Sequence, residues 1–147
     1  MDPRTAYREA EVRGASPVRQ VVLLYDQLIQ DLGRAIRAME RSDVETRTRE
    51  INHAVCVVGF LQSKLNMAAG GEVARNLDTF YNSLRSRLLE AQIRVSKAIL
   101  TQQITDLLSL REAWVEVEKA ETRTLATADR ASTGSSENPK LTADWKG

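Results

Sequence analysis

Two places in this chain carry residues whose types and spacing could do chemistry. The first is EINH, where Glu50 and His53 stand at i, i+3. That step sets a carboxylate and an imidazole on one side of a helix, as in bundles that hold two iron ions. Such a site needs two E-x-x-H pairs and further inward glutamates, whereas His53 is the only histidine, so no metal centre is expected. Cys56, the single cysteine, lies three residues on in the apolar run AVCVVGFL and reads as a buried small hydrophobe. With no base and orienter beside it, it is not a nucleophile. The chain reads as a non-enzyme that needs no cofactor.

The second place is the glycine pair of AAGGEVARNL, Gly70 and Gly71. Adjacent glycines let a backbone approach a phosphate, or let a chain turn where no other residue fits. A phosphate loop has the form GxxxxGK[ST] after a strand; here no strand pattern precedes, and Glu72 follows at once. An acidic side chain in a first helical turn suits the helix dipole and repels phosphate. The expectation is therefore a corner, with Gly70 in the left-handed position that ends one helix and Gly71 opening the next.

The elements around these places read as helices. Ser16 is a natural N-cap and Pro17 fits the first helical position. Val18, Val21, Val22, Tyr25, Leu28, Ile29, Leu32, Ile36 and Met39 then follow in steps of three and four, the mark of one apolar helix face. SDVE at 42–45 matches a capping box, with Ser42 accepting from the N–H of Glu45. It opens a second stripe through Val44, Ile51, Val55, Val58, Leu61 and Leu65. A third stripe runs through Val73, Leu77, Phe80, Tyr81, Leu84, Leu88 and Ala91. A fourth, after Ser96, takes in Leu100, Ile104, Leu107, Leu108, Trp114 and Val115.

Four such segments with short joints predict an all-α, antiparallel four-helix bundle over 16–122, with helices at about 17–41, 43–68, 71–94 and 97–122. Residues 1–15 read as a mobile N-terminal arm. Residues 123–147, rich in Ser, Thr, Ala, Gly and Asp, read as a disordered tail that buries too little to offset its ordering entropy. Trp145 in that tail is either a docking hook or incidental.

Charge narrows the function classes. With 21 Lys and Arg against 20 Asp and Glu, the formal charge is +1, so no large field draws the chain to nucleic acid or anionic lipid. Arg85, Arg87, Arg94 and Lys97, set against Glu90, read as a solvated helix face. No apolar run is long enough to span a bilayer, and the opening MDPRTAYREAEVRG is polar, so a cytoplasmic protein without membrane insertion is expected.

Taken together, these residues resemble the flagellar export chaperone family FliS. Tyr7, then Ala15-Ser16-Pro17, then LLYDQLI around Tyr25 follow the family's opening pattern. LQSKLNMAAGGEVARNLDTFYNSLRSRLLEAQ at 61–92 is similar to its central signature, carried by Asn66, Gly70, Gly71, Glu72, Asn76, Leu77 and Tyr81. LLSLREAWVEV, with Arg111 and Trp114, is similar to its ending. Two residues depart from the pattern: Gln27 stands where the family usually has glycine, and Gln92 where it has asparagine.

The resemblance implies a cytoplasmic chaperone that binds the disordered C-terminal segment of flagellin in apolar grooves, prevents premature polymerisation and keeps the client export-competent. It leaves open a contact with the flagellar export gate. The free chain is expected as a monomer or weak homodimer. The competing reading is a self-associating helical scaffold or adaptor of the export apparatus. Apolar residues off the main stripes are the partner-binding candidates: Leu23, Val57, Phe60, Leu89, Ile93, Leu110, Ala113 and Val117, each either groove lining or core packing. The resemblance adds Tyr7, in the arm that shifts when client binds. Arg111 and Trp114 share a face, and the expectation there is a tryptophan closing the end of the core with the arginine stem packed on its ring.

Overall fold

The computed structural model describes residues 15–134, with side chains through 131. The described residues form four α-helices and no strand: α1 (Pro17–Glu40), α2 (Val44–Ser63), α3 (Gly71–Arg94) and α4 (Lys97–Gly134). Helix α1 packs on α2 and α4, and α3 packs on the same two. With short connections that neighbour order gives the expected antiparallel four-helix bundle.

The core follows the periodic stripes. Tyr25, Leu28, Leu32 and Ala35 of α1 meet Ile51, Ala54, Val58 and Leu61 of α2, Leu77, Tyr81, Leu84 and Leu88 of α3, and Leu100 and Leu107 of α4. The Tyr25 and Tyr81 hydroxyls, both buried, lie 2.8 Å apart and share a hydrogen bond, which satisfies two polar groups that would otherwise be costly inside the bundle. Burial pushes the Tyr25 hydroxyl above the usual tyrosine range, against the opposing pull of hydrogen bonds with Tyr81 and Trp114. Burial, and then the neighbouring Tyr25, pushes Tyr81 far higher.

Two of the three corners use one device. At the first, Ser42 sits in the left-handed region at φ 56°, and the N–H of Asp43 donates to Ala38 O at 2.8 Å, closing α1 in a Schellman motif. Ser42 thus belongs to the end of α1. The cap of α2 is Asp43, whose carboxylate accepts from the N–H of Thr46 at 3.1 Å. The capping box expected from SDVE is corrected accordingly, and α2 begins at Val44. At the corner between α3 and α4, Val95 takes the left-handed position at φ 52°. Ser96 follows, donating its N–H to Ala91 O and accepting from the N–H of Ile99.

The glycine corner divides its labour differently from the expectation. Gly70 has right-handed backbone, φ −77°, and Gly71 is the residue at φ +57°. Gly70 is needed for space: a Cβ there would stand 2.6 Å from Ala74 Cβ and 2.7 Å from Asn66 O. Asn66 shapes the turn, its amide oxygen accepting from the N–H of Ala69 at 3.0 Å and its carbonyl from the N–H of Gly70 at 2.7 Å. Helix α2 stops at Ser63 rather than near 68, because these hydrogen bonds take the chain out of helix before the glycines.

Helix α4 also differs, running to Gly134 instead of ending near 122. Residues 123–133 contain no Gly or Pro to break the helix, so it runs on past the last buried residues of α4. The remaining tail residues, Trp145 among them, and the arm with Tyr7 lie outside the described residues.

Candidate functional site

The residues singled out from the sequence separate into interior and surface. Leu23 and Val57 are buried, Val57 within the main core. Leu110 is half-buried against that core. Phe60, Leu89, Ala113 and Val117 are exposed, and Ile93 is 82% exposed. They do not converge on one pocket. Leu89 and Ile93 form an i, i+4 pair toward the end of α3. Leu110, Ala113 and Val117 form a stripe around the middle of α4, which runs antiparallel to α3, so they lie toward the other end of the bundle. Phe60 stands on α2 with the Lys64 ammonium 4.9 Å from its ring centroid, a cation–π contact.

Further apolar surface escaped sequence reasoning. Val44 and Val73, counted as stripe residues, are 58% and 66% exposed, because each lies in the first turns of its helix beyond its neighbours' reach. Met67, Val95, Leu108 and Leu125 are exposed as well. Cys56 is exposed rather than buried. The helical period carries Ala54, Val57, Val58 and Leu61 inward and turns Cys56 out, and an unbroken apolar run concealed that.

The E-x-x-H pair does structural work across α1 and α2. Asp31, fully buried, accepts from His53 Nδ1 at 2.6 Å, from Arg34 at 2.6 Å and from the Gln27 amide at 2.8 Å. Arg34 Nε lies 3.2 Å from Glu50 in an ion pair, although without hydrogen-bond geometry. Arg34 thus reaches both the Asp31 and the Glu50 carboxylates, and His53 the first of them. Gln27, one of the departures noted above, is 4% exposed and leaves its Oε1 without a hydrogen-bond partner.

The other seams carry polar ties that hold the surface patches in place. Between α2 and α3, Gln62 bonds Asp78 at 2.7 Å, Asn82 at 2.8 Å and Arg85 at 2.5 Å, and Gln92 reaches Thr48 at 2.7 Å. Between α1 and α4, Arg111 donates to Asp26 at 2.5 Å. The hydrogen bond to Asp26, and then that carboxylate's charge, push the Arg111 pKa above its ordinary value against the opposing effect of burial. The guanidinium of Arg111, whose stem was expected on the Trp114 ring, thus joins α4 to α1. Trp114 itself is half-buried against the core. Glu72 and Asn76 are exposed, and Leu77 is in the core.

These features make a rigid bundle with apolar patches on several sides and no convergent reactive groups among the described residues. The profile of the family described as "Flagellar protein FliS" matches residues 1–121. The chain belongs to the FliS family. Its FliS relatives include the flagellar secretion chaperone FliSB of Pseudomonas aeruginosa, 33% identical over 106 residues, 72% of this chain and 84% of that protein. The flagellar secretion chaperone FliS of Salmonella typhimurium is 32% identical over 111 residues, 74% and 82% of the two chains. That of Bacillus subtilis is 24% identical over 120 residues, 82% and 89%. The FliS match covers the Ser16-Pro17 cap, the Tyr25–Tyr81 bond, the glycine corner and the Asp26–Arg111 pair. These are features that shape and close the bundle. Among the described residues no helix is long and apolar enough to cross a membrane.

Proposed function

We propose that this protein is a cytoplasmic flagellar secretion chaperone whose client is the C-terminal segment of flagellin. The observation that carries the reading is the distribution of exposed apolar side chains: Phe60 on α2, Leu89 and Ile93 on α3, and Ala113 and Val117 on α4. Separate patches on different helices suit a long, flexible client that wraps the bundle and becomes helical where it touches, not a compact ligand seated in one pocket. Leu110 lines the α4 patch from below. Tyr7 belongs to the arm that would make way for the client. Masking a client's amphipathic segments prevents its assembly too early, and a bound but extended client stays competent for export.

The mechanism is equilibrium binding. Apolar area leaves water on both partners, the client pays its ordering entropy on docking, and no bond is made or broken. Leu23 and Val57 enter the reading only as support beneath the α1 and α2 surfaces, since both are buried here. Contact with the export gate would use whatever surface the client leaves open.

The test is titration with a flagellin C-terminal peptide of about forty residues, read by calorimetry and circular dichroism. Binding near one to one, a negative heat-capacity change and new helical signal are expected. Absence of binding at micromolar concentration refutes the reading. The alternative, a self-associating scaffold, is favoured instead if the free chain sediments as an oligomer that survives dilution.

A further inference from the structure

Helix α4 outruns the bundle it belongs to. Glu118 still pairs with Arg19 at 3.7 Å, close to the start of α1 at Pro17. Residues 119–127 are all exposed. From about residue 121 to Gly134 the helix overhangs the end of the bundle by roughly 20 Å, at 1.5 Å per residue. Leu125 follows the core residue Leu107 by about five full turns, so it continues the inward-facing stripe of α4, yet it is 63% exposed. Val117, near the base of the overhang, is exposed too. A helical stretch this short gains little from propensity alone, and here its apolar stripe has no described helix opposite.

The geometry points to residues 135–147 of the same chain as the segment that covers this stripe, with Leu141 and Trp145 as its apolar contacts. Reach permits it. Leu125 lies nine residues back along the helix from Gly134, about 14 Å, whereas the eleven residues from 135 to 145 span up to about 35 Å when extended. Composition favours it. The segment SSENPKLTADWKG holds only Leu141 and Trp145 as large apolar residues, and an indole has more apolar surface to bury than any other side chain.

Glu121 flanks the inward stripe of the overhang, and the segment, with Lys140 and Lys146 against Glu137 and Asp144, has no net side-chain charge to repel it. Because the segment is tethered, its local concentration is in the millimolar range, and a contact too weak to form between separate molecules is populated within one. The docked segment shields Leu125 and steadies the overhang as a helix. This contact stands whether or not the client is flagellin.

The experiment uses the full chain labelled with 5-fluorotryptophan. It contains two tryptophans, Trp114 and Trp145, and their fluorine resonances are assigned with Trp145→Phe. The Trp145 resonance is expected away from its position in a free peptide of residues 135–147, at a place independent of protein concentration. Leu125→Ser should return it toward the free-peptide position, whereas Leu108→Ser, an exposed α4 residue within the bundle, should leave it unchanged. Trp145→Ala should speed amide exchange over residues 121–131 by about tenfold while leaving the core amides unchanged.

A resonance at the free-peptide position overturns the proposal. So does one that moves with concentration, which would assign the stripe to a second copy. Unchanged exchange in Trp145→Ala, with faster exchange on removal of residues 1–14, overturns it in favour of the N-terminal arm.

Discussion

Replacing Leu89 and Ile93 by serine separates binding from folding, and the structure sets the size of both effects. Ile93 is 82% exposed and Leu89 46%. Fully burying such a side chain is worth about 1.5–3 kcal/mol, so Ile93 has most of that still to gain from a partner and Leu89 about half. The pair therefore contributes about 3 kcal/mol to client binding if both are covered, roughly a hundredfold in Kd. The two are neighbours at i, i+4, so the double substitution can depart from the sum of the singles by about 0.5 kcal/mol or more.

Folding stability should fall by only about 1 kcal/mol, from the half of its burial that Leu89 already has, since Ile93 is largely exposed. Leu23→Ala is the opposite control. At 3% exposed, its loss should cost about 2–4 kcal/mol of stability. The assay pairs urea denaturation of each free variant with calorimetric titration of the flagellin peptide. A serine double variant that binds within about threefold of the parent, or that loses more than about 2 kcal/mol of stability, refutes the assignment of α3 as a client surface.

Val95→Gly should stabilise the fold by about 1 kcal/mol, since a β-branched residue is held in the left-handed region there and glycine carries no such penalty; a lower midpoint in urea would contradict this. Gly70→Val should destabilise by several times that amount, because its side chain meets Ala74 and the Asn66 carbonyl, and thermal unfolding reads the loss. Asp31→Ala should cost about 3 kcal/mol, the lower end for a broken buried pair, since Arg34 retains Glu50; equal stability would show that the cluster is solvated. Both core tyrosines have folded-state pKa values raised by burial. Their contribution is therefore complete below the unfolded tyrosine value of about 10 and is lost as pH rises past it. Urea titrations above and below that pH should show the fall, and the Tyr25→Phe, Tyr81→Phe double variant should lack it.

By itself the sequence determined the fold class and the order of the helices. Apolar residues in steps of three and four, Ser16 before Pro17, and short connections leave an antiparallel bundle as the way to bury all the stripes at once. It also carried the FliS resemblance, through motifs that the structure places at caps, corners and buried hydroxyls. The terminal turns were less legible. Whether Ser42 or Asp43 caps α2, and which glycine takes positive φ, depends on how two helices meet, and both choices are compatible with the same local residues.

Only the tertiary structure decided which off-stripe residues face water. Leu23 and Val57 belong to the interior and Leu89 and Ile93 to the surface, yet all four are apolar residues beside a stripe. Their exposure depends on where neighbouring helices stop, and helical period does not contain that information. The same holds for Cys56, turned outward from an apolar run, and for Glu50 and His53. Their partners, Arg34 and Asp31, lie on another helix and come into contact only when α1 and α2 pack.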